Sequence, residues 1–472
     1  MELRFAPLLS AAAFVRAALG LSFSLLAIRI VGAESFGYFS LVWAFSSAFL
    51  YMYTGINTVL VARIVETRAA SGDKVWITAG FYLTLMVVAI IVVVAAAAAA
   101  ALAPSHSGLY LVMMIVPFAL SCQIVTMFCC AVLEGRGQIT RATLLPIVGI
   151  LCVVVLLVAS LTAGSPVTDL LSLLEVVLLA YVLEMMIVLG AAWQVYAKLG
   201  KQRWRFTAMK KLILGGVSTQ AANIVSFLLD PWSKSVLAFY LGPASVAVFD
   251  LSMKVGWGLN SVFSAYSRLF LQIPPSDQSR RIASLVQAAN LTWVPLVLSG
   301  AIAIIILPPL MGFWLRVDPM LLAQGMAMAI AACIVMAAVS SAYISLISFH
   351  DHSFILRNQM ILGLTNVVAA PLLVPLVGFT GAFLGILVGT TVNVGLISKR
   401  LRQHMPEFSG LTSIARLVFG RLALAISVFA ASCMASAWAT SASVAGLLVF
   451  GATVLLSREP LASATWKKIK GR

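Results

Sequence analysis

Eight ionisable residues lie inside apolar stretches or at their edges: Arg16, Arg29, Glu175, Glu184, Asp230, Lys234, Asp250 and Lys254. A charge in a hydrocarbon slab is costly, so such residues read first as ligands for a charged cargo or a coupling ion. Arg16 shares a stripe with Ser10, Ala13, Gly20, Ser24 and Ala27 at three- and four-residue spacing, one helix face turned to the protein interior. A second stripe holds Thr219, Asn223, Ser226, Asp230 and Lys234, and a third holds Asp250, Lys254, Gly258, Ser261, Ser264 and Arg268. Together they describe a central hydrophilic cavity. Its candidate ligands are the cations Arg16, Lys234 and Lys254 and the polar groups of Thr219, Asn223 and Ser226. Pro231, directly after Asp230, is expected to kink its helix and free a carbonyl there.

Each assignment has a competing account. In Asp230/Lys234 and Asp250/Lys254 the acid precedes the base by four residues, an orientation in which each pair neutralises itself. Arg16 has no acid at helical spacing, which leaves it as a ligand. Arg29 lies near a helix end, where it would snorkel and pair with Glu34. Glu175 and Glu184 fall on opposite faces of one helix at about 100° per residue, so they make no paired-carboxylate site. Glu184, in the middle of its segment, is either a proton- or sodium-binding group or a neutral, hydrogen-bonded one. With Asp230 and Asp250 it completes the candidate ion-coupling set. His350-Asp351-His352 lies in a short turn without enough further ligands for a metal. No nucleophile elbow, P-loop or HExxH motif is present, so no catalytic residue and no cofactor are assigned.

The elements that must position these groups follow from composition. Of 472 residues, 62% are hydrophobic and 10% charged, with a mean hydropathy of +1.06. Soluble chains carry about 25% charged residues, which excludes a water-soluble enzyme and leaves an all-α polytopic membrane protein. Gly, Pro and charged residues divide the chain into fourteen apolar segments, each about 20 residues or longer, hence about 14 transmembrane helices. They lie near 8–31, 36–62, 75–103, 107–133, 143–163, 168–196, 212–241, 243–271, 282–315, 318–349, 353–376, 379–398, 411–437 and 440–457.

The formal net charge is +16, which in a soluble chain would suggest nucleic acid. Here topology accounts for it. Apart from Arg16, Arg29, Lys234, Lys254 and Arg316, every Lys and Arg falls in the even-numbered connections, in the half of a segment that adjoins one, or at the two ends. The positive-inside rule then places both termini in the cytoplasm and requires an even number of spans. The six cysteines all lie in apolar runs and read as small core residues.

Setting residue n against n+210 aligns Gly32 with Gly242, Ser35 with Ser245 and Phe39 with Phe249, each in a turn after a first helix. Two six-helix lobes, 1–200 and 201–405, would then be parallel repeats, with two further helices and a basic tail over 406–472.

The stretch Ala27-Ile28-Arg29-Ile30-Val31-Gly32-Ala33-Glu34-Ser35-Phe36-Gly37-Tyr38-Phe39 resembles the R-x-x-G-x-x-x-F-G-x-Y turn of the polysaccharide/oligosaccharide flippases. These belong to the multidrug/oligosaccharidyl-lipid/polysaccharide exporter superfamily. Leu241-Gly242-Pro243-Ala244-Ser245 resembles the degenerate repeat of that turn, and Pro375 to Ala382 resembles the family's P-x-x-G-x-x-G-A. The resemblance covers the first twelve helices. It implies alternating access by two lobes that carry an undecaprenyl-diphosphate-linked oligosaccharide from the inner to the outer leaflet of a bacterial inner membrane, for surface or exopolysaccharide synthesis. It also implies a monomer working beside polysaccharide polymerase machinery, with membrane lipids as its surroundings. A lipid II flippase of the same superfamily is the near alternative, although that family's arginine-rich first-helix pattern is absent here. A cation-coupled multidrug exporter would need a cavity of net negative charge, whereas Arg16, Lys234 and Lys254 outnumber Asp230 and Asp250 by one. A membrane enzyme would need a substantial outer loop with catalytic groups, and every outer connection is short.

Overall fold

In the computed structural model the described residues are 6–67, 72–102, 107–163, 169–197, 205–227, 229–264, 299–300, 302–348 and 352–404. They form fifteen helices and, among the described residues, no strand. In chain order these are α1 (Ala6–Val31), α2 (Ala33–Ser46), α3 (Ala48–Thr67), α4 (Asp73–Leu102), α5 (Ser107–Gly135), α6 (Ile139–Leu144), α7 (Ile147–Ala163) and α8 (Leu170–Ala197). There follow α9 (Phe206–Phe227), α10 (Asp230–Leu241), α11 (Pro243–Ser264), α12 (Ile302–Leu315), α13 (Pro319–Ser348), α14 (His352–Val377) and α15 (Thr380–His404). Eight spans drawn from these helices are long and apolar enough to cross a membrane. The chain is an all-α, multi-pass membrane protein.

Each of the first twelve expected segments overlaps a described helix, although 265–271 of the eighth and 282–298 of the ninth lie outside the described residues, as do 411–437 and 440–457. Three segments are built from two helices each. The second divides at Ser47, the fifth between α6 and α7 beside Pro146, and the seventh between Phe227 and Asp230. The seventh break follows from Pro231 in the first turn of α10, where a proline has no N–H to give back to the preceding helix. The expected single stripe from Thr219 to Lys234 is therefore carried by two helices, not one face of a straight span.

Two apolar cores hold the helices together. One joins Phe36, Phe39, Leu120, Leu174, Leu237, Phe249, Met326 and Phe383, and so draws on both halves of the chain. The other joins Tyr53, Leu60, Ile64, Leu83, Ile124 and Leu133, with Ala208 and Leu212 of α9. Accordingly α9 packs on α3 and α4 as well as on α14, while α10 packs on α11 and α14. The ridge Gly381/Gly385/Gly389 lies along α14: a methyl on Gly385 would meet Asn366 and Ala370, and one on Gly389 would meet Leu362.

Gly32 and Gly242 turn α1 into α2 and α10 into α11, with φ of 84° and 82°. The two turns lie against each other, since a methyl on Gly37 would overlap the Pro243 carbonyl.

Candidate functional site

Lys234 and Asp250 each stand eight residues from Gly242, on the two arms of a helical hairpin. At about 1.5 Å per residue both lie at the same depth, and Lys234 Nζ meets Asp250 Oδ1 at 2.7 Å. Lys234 Nζ also meets Asp230 Oδ2 at 2.9 Å, and Lys254 Nζ meets Asp250 Oδ2 at 2.7 Å. The result is a ladder of alternating sign, Asp230, Lys234, Asp250, Lys254. Its middle members are buried, where only pairing makes a charge tolerable. Both i to i+4 pairs form, and Lys234–Asp250 joins them into one network of zero net charge.

The break above the ladder is itself satisfied. Asn366 Nδ2 of α14 donates to the Leu229 carbonyl and to Ser233 Oγ, each at 3.1 Å, and Ser233 Oγ donates to the same carbonyl at 2.7 Å. Trp232 Nε1 donates to the Val367 carbonyl at 3.1 Å. The Leu229 carbonyl, two residues before Pro231, is thus held by neighbouring side chains.

Lys254, the half-exposed end of the ladder, reaches across to the first half of the chain. Its Nζ donates to Ser24 Oγ of α1 at 2.5 Å and stands 5.7 Å and 5.5 Å from the ring centres of Phe23 and Phe36. From these rings an aromatic series continues through Phe39 and Trp43 to Tyr181 of α8.

Arg16 is exposed and forms no ion pair or hydrogen bond among the described residues. Its charge acts on Glu184 and Tyr181 of α8 and on Cys130 of α5. Glu184 is buried against Gly149 of α7, where any Cβ would overlap its carboxylate, whereas Glu175 is exposed on the same helix. Arg29 is exposed near the end of its helix, but its partner is not Glu34: it donates to the Trp314 carbonyl at 3.1 Å and stacks over that indole at 5.7 Å. Thr219, Asn223 and Ser226 lie on α9 with side chains outside the described residues, as do His350 and Asp351 entirely.

Ser24, Phe23, Phe36, Trp314 and Asn366 are the partners that helix-by-helix spacing misses. The Lys234–Asp250 pairing has a sequence signal, the equal distance from Gly242. Chemically, the ladder consumes both of its acids, while Arg16 and Lys254 keep donors toward accessible space.

No protein-family model matches the chain, and no curated protein matches it. Solved structures do. The lipid II flippase MurJ in its inward closed conformation superposes with a TM-score of 0.62 at 15% identity, covering 96% of this chain and 99% of that one. An outward-facing multidrug resistance MATE family transporter of the MOP superfamily gives 0.63 at 14% identity, covering 86% and 95%. A MOP superfamily transporter from Pyrococcus furiosus, whose binding pocket is described as reversed in polarity, gives 0.57 at 13%, covering 87% and 95%. The chain has the fold of the MOP-superfamily transporters.

Proposed function

We propose that this protein is an alternating-access flippase for an undecaprenyl-diphosphate-linked oligosaccharide, supplying surface or exopolysaccharide synthesis from the inner membrane with both termini in the cytoplasm. The observation that carries this reading is the state of the charges. The ladder sums to zero charge, while Arg16 is exposed and has no ion pair among the described residues, so the net charge these groups offer to a cargo is positive. A diphosphate supplies the oxygens such cations bind. Thr219, Asn223 and Ser226 would meet sugar hydroxyls. The MurJ likeness supports a lipid-linked cargo, because that protein is described as a lipid II flippase.

In this reading residues 1–200 and 201–405 act as the moving lobes and 406–472 as an appendage. Glu184 is the coupling carboxyl, and Asp230 and Asp250 join it only when their lysines are drawn away. An exporter of cationic drugs would need an unpaired acid, and both acids of the ladder are paired with lysines.

The test is a strain lacking the gene. Lipid extracted from its inner-membrane vesicles is expected to hold a diphosphate-linked oligosaccharide confined to the cytoplasmic leaflet. Wild type reverses this, and Arg16→Ala, at equal membrane level, does not. No accumulation, with altered sensitivity to cationic drugs instead, moves the protein to the exporter branch.

A further inference from the structure

Beside the apolar core that packs α1 and α2 on α11, three contacts join the two halves of the chain toward the Gly32/Gly242 end, which the charge bias assigns to the outside. Gly37 lies against Pro243, Arg29 binds the Trp314 carbonyl, and Lys254 binds Ser24. The first two involve backbone and tolerate little change. The third joins two side chains, and its cation stands at the edge of accessible space.

Lys254 is the one cation of the ladder that can leave without stranding a buried charge. Asp250 keeps Lys234 at 2.7 Å, and Lys234 keeps Asp230 at 2.9 Å. What Lys254 gives up is a neutral hydroxyl, two ring faces and one oxygen of Asp250, a carboxylate that Lys234 also neutralises, and a diphosphate offers several anionic oxygens in exchange. Its flexible stem permits the swing, as a fixed guanidinium fork would not.

We infer that Lys254 is a ligand-released latch: it pins the two halves through Ser24 until a lipid diphosphate draws its ammonium away and frees the seam. The inference rests on the diphosphate reading above. It adds that the cargo's headgroup itself unlocks the outer face, so anion binding and opening favour each other by linkage. An unloaded carrier stays pinned on that side.

The seam is read with Ala27, which has 0% exposure and lies one turn from Ser24 on α1. In a full-length protein with its six native cysteines replaced, Ala27→Cys is labelled in right-side-out vesicles with a membrane-impermeant maleimide. Ser24→Ala is expected to raise the labelling rate about tenfold, the population shift from losing one hydrogen bond to a charged group. Undecaprenyl diphosphate is expected to raise it in the parent, and undecaprenol, which lacks the diphosphate, to leave it unchanged. Lys254→Gln starts high and responds to neither. Should Lys254→Gln fail to reach the membrane, Ser24→Ala and the two lipids still decide. Labelling at the parent rate in Ser24→Ala overturns the latch. Raised labelling in Ser24→Ala without a response to undecaprenyl diphosphate overturns release by the ligand. In either case the leaflet assay in the deletion strain separately judges the transport reading.

Discussion

Gly32 and Gly242 share one backbone conformation, φ 84° with ψ 160° and φ 82° with ψ 167°. That region is essentially closed to residues with a side chain, so the two turns repeat a constraint and not merely a letter. Each lets a helix end and the next begin without a loop, and each sets the depth at which the following helix presents its charges.

A methyl added at either glycine meets nothing within 4 Å, so any penalty is purely conformational. Gly32→Ala and Gly242→Ala are each expected to destabilise the protein by about 1–3 kcal/mol. Gly190→Ala and Gly395→Ala, in helices with equally open surroundings, are expected to be neutral or to gain up to about 1 kcal/mol. Melting in detergent compares the four. Equal behaviour would show that the positive φ carries no strain.

Lys234 serves two carboxylates from inside the protein. Lys234→Met is expected to cost about 3–5 kcal/mol, because Asp250 then depends on the half-exposed Lys254 alone. Adding Asp250→Asn should recover a substantial part of the loss. A single variant as stable as the parent, or a double variant no better than the single, contradicts the ladder.

Glu184→Gln is expected to abolish any dependence of transport on pH or sodium while leaving insertion intact. Gly149→Ala, which sets a methyl where the carboxylate lies, should displace that group and weaken the same response, at an overpacking cost of about 1–3 kcal/mol. Titration of transport in vesicles decides, and an unchanged response in Glu184→Gln removes it from coupling.

Asn366 holds the broken seventh segment by donating to Leu229 and Ser233. Asn366→Leu leaves those acceptors with fewer partners and is expected to cost about 1–3 kcal/mol. Hydrogen exchange should rise at 229–233 first. Uniform loosening across the molecule, or none, would mean that Asn366 is not what fixes the break.

Much of this architecture is legible in the sequence because membrane helices announce themselves by length and apolarity. Proline and glycine also mark their ends, as at Pro231 and Gly242. Periodicity also places Glu175 and Glu184 on different faces, one exposed and one buried in the structure. It reports only which residues share a face, however, and not which helices meet. The Ser24–Lys254 and Arg29–Trp314 contacts join residues far apart in the chain, and no local pattern encodes them. The divisions at Ser47 and beside Pro146 carry weaker marks: two serines, and one proline, stand between apolar stretches long enough to read as single spans.

Asp230, Lys234, Asp250 and Lys254 sum to zero charge and are tied to one another. A membrane potential does work only on net charge moved through it, about 2.3 kcal/mol per elementary charge per 100 mV. However far this ladder travels as a unit, it is electrically silent. In the proposed transport cycle, charge movement would come from Arg16, from Glu184, from Lys254 when it leaves the ladder, and from the charge the cargo brings with it.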